Sequence, residues 1–193
     1  MTDFLSAEFW NKRYHDGSAG WDLGEVSPPI HAYVEQLNNK DLRILVPGCG
    51  NAWEAEYLYR KGFKNVHILD FALAPLDNFK SRNPDFPEDQ VHFGDFFSHE
   101  GEYDLIIEQT LYCAIDPVFR IDYARKSADL LISRGKLVGV LFNRTFESGP
   151  PFGGSKEEYL SCFAPFYTAV SMDECYNSAA PRSGNELFIR LTK

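Results

Sequence analysis

The stretch Arg43-Ile-Leu-Val-Pro-Gly-Cys-Gly50 is an apolar strand pattern that ends in a glycine turn. A second apolar run, Val66-His-Ile-Leu-Asp70, ends on an acid twenty residues after Gly50. Glycines at a strand end let backbone approach a ligand without interference from Cβ atoms, and an acid at the next strand tip can hold a ribose. The two runs predict a nucleoside site, with helix capping by Asp70 as the alternative.

The residue after the predicted helix start at Ala52 distinguishes between nucleoside ligands. Trp53 stands where the dinucleotide fingerprint G-x-G-x-x-G has its third glycine. That glycine permits the close helix packing that accompanies a pyrophosphate at a helix N-terminus. Because S-adenosylmethionine has a ribose but no phosphate, the pattern favours it over NAD.

Length and composition limit the class of protein. The chain has 193 residues, 44% of them hydrophobic and 15% aromatic, which predicts one packed domain over 1–193. A net charge of −9 lacks the basic surface that neutralises nucleic-acid phosphates, so we expect small-molecule substrates and no nucleic-acid partner. The four cysteines form no C-x-x-C pair, which gives no support for a metal site.

The same composition sets expectations for location and assembly. No apolar run approaches the ~20 residues that cross a bilayer, so we expect no membrane association. The N-terminus, Met1-Thr-Asp-Phe-Leu-Ser, lacks the pattern of a signal peptide, and a cytoplasmic location is the default. We expect a monomer or a weak homodimer.

From Leu42 onward, strand and helix patterns alternate. Strands are predicted at 43–48, 65–70, 91–94, 103–108, 136–142, about 167–172 and 186–192, and helices at 52–61, 73–82, 117–132 and 156–163. Two further helices, at 6–15 with Ser6 as N-cap and at 28–38, form a cap over 1–40 ahead of the sheet core over 41–193. The alternation predicts a mostly parallel, doubly wound α/β sheet whose last two strands form an antiparallel hairpin edge.

The predicted helix 117–132 carries an apolar stripe that should cover one face of the sheet. Its members are Val118, Ile121, Ala124 or Arg125, Ala128 and Leu131. Ligands bind at the C-terminal ends of the strands in such sheets, where Gly48, Asp70, Asp95 and Glu108 fall. Glu54 is interpreted as a first-turn acid that the helix dipole favours.

Several motifs together resemble the thiopurine S-methyltransferase-like family, and most closely its halide and thiol methyltransferase branch. The N-terminal run Phe9-Trp-Asn-Lys-Arg-Tyr14 and Trp21-Asp-Leu-Gly24 are similar to the family's aromatic segment. Val46-Pro-Gly-Cys-Gly50, Cys113-Ala-Ile-Asp-Pro-Val-Phe-Arg120 and Gly149-Pro-Pro-Phe152 follow in the family's order.

The resemblance implies a Rossmann-like class I fold of seven strands with an N-terminal helical lid. It implies S-adenosylmethionine as cofactor and S-adenosylhomocysteine as product. The residues that it implies for cofactor binding are Trp10, Tyr14, Trp21, Gly48, Gly50, Asp70, Asp95 and Phe96. A turn acid beside core phenylalanines is the alternative for Asp95 and Phe96. Gln109, counted with the cofactor-binding residues, stands where the halide and thiol enzymes usually have an aromatic, which leaves the acceptor open.

The expected reaction is an in-line methyl transfer to a small thiol or halide anion such as hydrosulfide, thiocyanate, an aromatic thiol or iodide. An anion is already nucleophilic, so the site mainly supplies alignment and a dry enclosure. The resemblance implies that Arg120 orients the acceptor. Strand-end geometry adds Tyr112 and Arg144 as weaker candidates.

Three alternatives remain from the sequence. An O- or N-acceptor would need a base near the methyl group, for which Glu108, Glu147 and Asp116 are available. A non-catalytic S-adenosylmethionine sensor would use the same binding residues. An NAD-linked dehydrogenase is disfavoured by Trp53.

Overall fold

The strand and helix alternation forms a seven-stranded sheet covered by helices on both faces. A computed structural model describes residues 5–193, so the first four residues of the predicted domain lie outside the description. The strands are β1 Arg43–Pro47, β2 Asn65–Asp70, β3 Val91–Phe93, β4 Tyr103–Gln109, β5 Leu131–Phe142, β6 Ala169–Glu174 and β7 Glu186–Thr192. The helices are α1 Ala7–His15, α2 Pro28–Val34, α3 Trp53–Arg60, α4 Leu73–Arg82, α5 Arg120–Asp129 and α6 Lys156–Phe163.

The strand order is β3-β2-β1-β4-β5-β7-β6. Strands β1 to β5 are parallel to one another, and β7 runs antiparallel to both β5 and β6. The antiparallel pairing of the last two strands is confirmed. However, β7 lies inside the sheet between β5 and β6, so of these two last strands β6 alone forms an edge, opposite the β3 edge.

The core lies on both faces of the sheet, since successive strand residues point to opposite sides. In β1, Ile44 and Val46 pack with residues of α2, α3 and α4, whereas Leu45 packs with α5 and α6. Within 5–193, no helix combines the length and the apolar character needed to span a bilayer.

The predicted helix 117–132 is wrong in its limits, and its predicted buried stripe is confirmed at Ala124 and Ala128 but wrong at Val118 and Ile121. A 3₁₀ turn at 117–119 precedes α5, and Leu131 already belongs to β5. Val118 and Ile121 are exposed, while the buried face of α5 carries Arg120, Tyr123, Ala124, Ser127 and Ala128. Polar residues occupy that face because each has a partner: Arg120 pairs with Glu158, and Ser127 bonds to the Tyr167 hydroxyl at 2.8 Å.

Three histidines cluster on one face of the sheet near the β3 edge. Nδ1 of His67 lies 2.9 Å from Nε2 of His92, and Nε2 of His99 lies 2.8 Å from the Tyr103 hydroxyl. Burial, with the neighbouring Arg43 guanidinium second, lowers the pKa of His67 to about 4. Burial likewise lowers the pKa of His92, and that of His99 to about 4.

This cluster predicts acid sensitivity of the fold. The histidine pKa values are lower in the folded than in the unfolded chain, so the unfolded chain binds more protons below about pH 6.5. The cluster's contribution to the free energy of unfolding is complete above that pH and decreases as the pH falls towards about 4. We expect His92→Gln to reduce the loss of stability between neutral pH and about pH 5 in denaturant titrations. His15→Gln, at the exposed end of α1, is the matched control, and an unchanged loss in His92→Gln would contradict the assignment.

Candidate active site

A cavity of about 1130 Å³ opens at the C-terminal ends of β1, β2, β4 and β5. It exceeds the ~300–1,000 Å³ that is usual for a site holding one small molecule. Its wall includes nine of the sequence-predicted binding residues: Trp10, Tyr14, Trp21, Gly48, Gly50, Asp70, Asp95, Phe96 and Gln109. The volume is sufficient for a cofactor together with a second reactant.

The glycine turn after β1 and the end of β2 are joined through one carboxylate. Asp70 accepts hydrogen bonds from the backbone N–H of Gly50 at 2.9 Å and of Ala72 at 2.8 Å. Burial raises the pKa of Asp70, and these backbone donors partly oppose that rise. The alternative that Asp70 caps α4 is wrong, because Ala72 is the N-cap of α4 and no side chain caps this helix. Asp70 bonds instead to the N–H of the N-cap residue, and its carboxylate lines the cavity.

Both glycines of this turn have a backbone conformation that favours glycine, with φ of 55° at Gly48 and 52° at Gly50. A Cβ atom on Gly48 would lie 2.6 Å from Cδ1 of Leu111, and one on Gly50 would collide with the Tyr14 hydroxyl. The turn thus needs glycine for its backbone and for close contact with the cavity wall.

Aromatic side chains of the N-terminal segment form a lid over the glycine turn. Trp21 meets Trp10 edge-to-face at 5.3 Å and Tyr14 at 5.7 Å, and its indole N–H donates to the Tyr14 hydroxyl at 3.3 Å. The lid is also fixed to the core, because the Asn11 side chain accepts from the Ala74 N–H at the start of α4. Rings in this arrangement can attract a sulfonium cation.

Trp53, the residue that replaces the third glycine, holds the lid in place. Its indole N–H donates to Asp22 at 2.7 Å, directly after Trp21, and the Asn51 side chain donates to the same carboxylate. The guanidinium of Arg82 lies 3.9 Å from the centre of the Trp53 ring. The Trp53 indole, whose bulk disfavours a pyrophosphate, therefore also helps to hold the lid over the cavity.

Three further predicted residues line the cavity, and each already contacts another residue of the chain. They are Asp95, Phe96 and Gln109. Asp95 is exposed and accepts from the Ser98 N–H at 3.1 Å, as the turn-acid alternative predicts. The Phe96 ring stacks on Tyr123 at 4.9 Å. Gln109 accepts from the Ser27 hydroxyl at 2.8 Å, which links β4 to the residue ahead of α2.

Of the three residues predicted to contact the acceptor, Arg144 lines the cavity, whereas Arg120 and Tyr112 are buried behind its wall. Arg120 pairs with Glu158 and donates to the Gly153 carbonyl at 2.8 Å. Tyr112 is buried beneath the Arg120 guanidinium, which lies 5.2 Å from the centre of its ring. Neither side chain lines the cavity, so neither is placed to contact an acceptor there.

Two arginines near the end of β5 are among the basic residues that line the cavity. Arg144 lies over the Phe146 ring at 4.8 Å, and Arg182 donates to the Trp21 carbonyl at 2.6 Å and lies 3.5 Å from Glu186. The cavity-lining residues between 142 and 185 are Phe142, Arg144, Phe146, Pro150, Pro151, Pro181, Arg182 and Asn185. Arg182 is thus already paired with an acid, and Arg144, a sequence-predicted acceptor candidate, is the other cation of this stretch. Sequence reasoning missed Arg182, because no motif or spacing links it to the glycine turn.

The three candidate bases occupy different environments. Glu108 is fully buried and accepts from the Tyr112 N–H and the Tyr123 hydroxyl, outside the cavity lining. Burial raises the pKa of Glu108 to about 7. Glu147 is exposed and does not line the cavity, whereas Asp116 does line it and accepts from the Val118 N–H.

Glu54 lies in the first turn of α3, as the sequence predicts. It is also buried, lines the cavity and accepts from the Ser27 N–H at 3.1 Å. Burial raises its pKa, and the Ser27 N–H has the largest opposing effect. The sequence did not predict this burial, which arises because α3 turns this face towards the cavity and not towards solvent.

These residues fit S-adenosylmethionine. The buried Asp70 carboxylate at a strand tip suits a ribose diol, and the lid suits the sulfonium. The bulky Trp53 at the start of α3 leaves that helix end unsuited to a pyrophosphate.

Comparisons with known proteins agree with this fit. The family model described as thiopurine S-methyltransferase (TPMT) matches residues 5–186. The chain is 30% identical over 192 residues to probable thiol methyltransferase 2 of Arabidopsis thaliana, covering 95% of this chain and 84% of that protein. It is 28% identical over 190 residues to thiocyanate methyltransferase 1 of Brassica oleracea, with the same coverage.

Solved structures are similar in fold. A TehB-like SAM-dependent methyltransferase from Corynebacterium glutamicum superposes with a TM-score of 0.67 at 18% identity, covering 97% of each chain. The magnesium protoporphyrin IX methyltransferase of Synechocystis PCC 6803, solved with bound SAH, superposes with a TM-score of 0.69 at 15% identity. That alignment covers 98% of this chain and 95% of the other.

The contact between Trp53 and Asp22 predicts a specific effect on ligand retention. Trp53→Phe keeps a ring beneath Arg82 but removes the N–H that holds the lid, so we expect S-adenosylhomocysteine affinity to fall about tenfold. Calorimetric titration measures this loss. In an Asp22→Ala background, Trp53→Phe should lower S-adenosylhomocysteine affinity little further, because the carboxylate that accepts from Trp53 is already absent. Additive losses in the double variant would contradict the coupling.

Proposed function

This chain belongs to the thiopurine S-methyltransferase family, and we propose that it methylates a small thiol or halide anion. It is an S-adenosylmethionine-dependent methyltransferase. Hydrosulfide, thiocyanate, an aromatic thiol and iodide are the proposed acceptors. Relatives named for thiol and thiocyanate methylation support the sulfur acceptors among them.

The observation that carries the proposal is the Arg144 guanidinium in the cavity wall. Within the described residues 5–193, no carboxylate lies within salt-bridge distance of Arg144, whereas Arg182 is already paired with Glu186. Phe142, Phe146 and two prolines supply apolar surface in the same stretch of the wall. A positive charge without an acidic partner favours an anion over a neutral amine. Apolar surface favours a large, weakly hydrated anion such as a thiolate or iodide over a small, strongly hydrated one.

The bound cofactor supplies a methyl group on a positively charged sulfur. Asp70 holds the ribose diol of this cofactor, and Asp95 with Phe96 lies at the adenine end. Trp10, Tyr14 and Trp21 close over the sulfonium and exclude water. Alignment and dehydration of this kind contribute about 7–11 kcal/mol in well-oriented reactions, and an anionic acceptor needs no proton removed.

Arg120 supports the cavity wall and does not contact the acceptor. Its guanidinium fixes the Gly153 carbonyl, and the Phe152 N–H donates to the Cys113 carbonyl at 2.7 Å. Pro150 and Pro151, which line the cavity, belong to the same loop. We assign Arg120 as a positioning residue for this loop, with Tyr112 packed beneath it.

One observation favours a second candidate, transfer to an oxygen or nitrogen acceptor. Asp116 is the candidate base that lines the cavity, although one of its oxygens already accepts from Val118. Its side chain is exposed, so it is a weaker base candidate than an acid enclosed in the cavity would be.

Methyl transfer to a panel of acceptors tests the proposed function. Purified protein with methyl-labelled S-adenosylmethionine should methylate hydrosulfide, thiocyanate, an aromatic thiol or iodide above no-enzyme controls. Transfer only to carboxylic acids or amines would contradict the anion proposal and favour Asp116 as base. Tight S-adenosylhomocysteine binding without any transfer would indicate a non-catalytic sensor.

Arg144 gives a prediction specific to the acceptor. Because its charge faces the cavity, Arg144→Gln should raise KM for an anionic acceptor about three- to tenfold and leave S-adenosylhomocysteine affinity unchanged. Added salt should reduce the difference between the variant and the wild type, since ions screen an exposed charge. Arg190→Gln, on β7 outside the cavity lining, is the matched control. An equal KM for Arg144→Gln and the wild type would show that Arg144 does not contribute to acceptor binding.

A further inference from the structure

Two acids of helix α3 are buried to the same degree but have different partners. Glu56 is 5% exposed and pairs with Arg60 and with Arg82, whose Nε lies 3.0 Å away. Glu54 is 6% exposed, and within the described residues 5–193 no lysine or arginine lies within salt-bridge distance of it. A buried carboxylate normally has a cationic partner, because burial of a lone charge is costly.

The fold does not explain the position of Glu54. Its side chain does not cap α3, whose first residues follow Ala52 in the left-handed conformation without a side-chain cap. A favourable interaction with the helix dipole requires no burial, since exposed acids in a first turn obtain it as well. The Ser27 N–H donates a hydrogen bond to Glu54, but it is a neutral group and does not balance the charge of the carboxylate.

Ser27 places Glu54 on the opposite side of β1 from Asp70. Its N–H donates to Glu54 and its hydroxyl donates to Gln109 at the end of β4, whereas Asp70 ends β2, and β1 lies between β2 and β4. Both carboxylates line the same cavity. A cofactor with its ribose at Asp70 could therefore reach Glu54 with its amino-acid part.

We propose that Glu54 binds the α-ammonium group of the cofactor's methionine part. Arg182 acts on Glu54 electrostatically but lies beyond salt-bridge distance, so the ammonium would be the cation in direct contact with the buried carboxylate. Ser27 holds one carboxylate oxygen in place, and its hydroxyl bonds to Gln109, so α3, β4 and the lid segment meet at this point. The proposal depends on the cofactor and not on the identity of the acceptor.

Binding of ligands that differ in the ammonium group tests the proposal. The probes are S-adenosylhomocysteine, its deaminated analogue and 5′-methylthioadenosine, each titrated into the full chain by calorimetry. Glu54→Gln should weaken S-adenosylhomocysteine binding about 10- to 100-fold, as expected for a charge-assisted hydrogen bond. Affinity for the two ligands without an ammonium should stay within about twofold of wild type.

Matched variants separate this role from a structural one. Glu56→Gln, in the same helix, should lower the melting temperature and leave the ratio of the three affinities unchanged. Asp70→Asn should weaken all three ligands together, because each contains the ribose. Glu54→Asp keeps the charge and should recover part of the S-adenosylhomocysteine affinity.

Equal losses for S-adenosylhomocysteine and its deaminated analogue in Glu54→Gln would overturn the proposal. Unchanged S-adenosylhomocysteine affinity would overturn it as well. Failure of the wild type to bind S-adenosylhomocysteine would contradict the cofactor itself, and binding without transfer would contradict only the proposed function.

Discussion

The Asp70 carboxylate is the contact on which the binding site depends. Its two oxygens accept from Gly50 and Ala72, so one side chain joins the turn after β1, the end of β2 and the start of α4. Each hydrogen bond to a charged acceptor contributes about 1.5–3 kcal/mol, which offsets much of the cost of burial. The cavity takes its shape from this junction, because the lid and the glycine turn both rest against it.

The lid depends on this junction through polar contacts as well as through ring packing. Asp22 receives hydrogen bonds from Trp53 and Asn51, which are in or next to the glycine turn, and Arg182 holds the Trp21 carbonyl from the far end of the chain. These contacts are directional, so they fix where the aromatic rings stand. Apolar packing alone would leave the same rings free to shift along one another.

Charged residues of both signs line the cavity. Two buried carboxylates, Asp70 and Glu54, lie beside the glycine turn. Arg144 lies in the wall after β5, where the proposed anionic acceptor would bind. The proposed reaction between a cationic donor and an anion would place each reactant next to a group of opposite charge.

The sequence by itself determined the strands, the glycine turn, Asp70 at the next strand tip and the aromatic segment, since each is a local pattern of a few residues. It also indicated the family through motifs in a fixed order. Only the tertiary structure decided that Arg120 faces Glu158, that Glu54 faces the cavity and that Arg182 reaches Trp21 across 161 positions. Helical periodicity identified Ala124 and Ala128 on the buried face of α5 but missed Arg120 and Ser127, because a buried polar residue looks exposed until its distant partner is known. Arg182 comes to the cavity because β7 begins beside the end of β5, with Glu186 opposite Phe142, and no local spacing encodes that pairing.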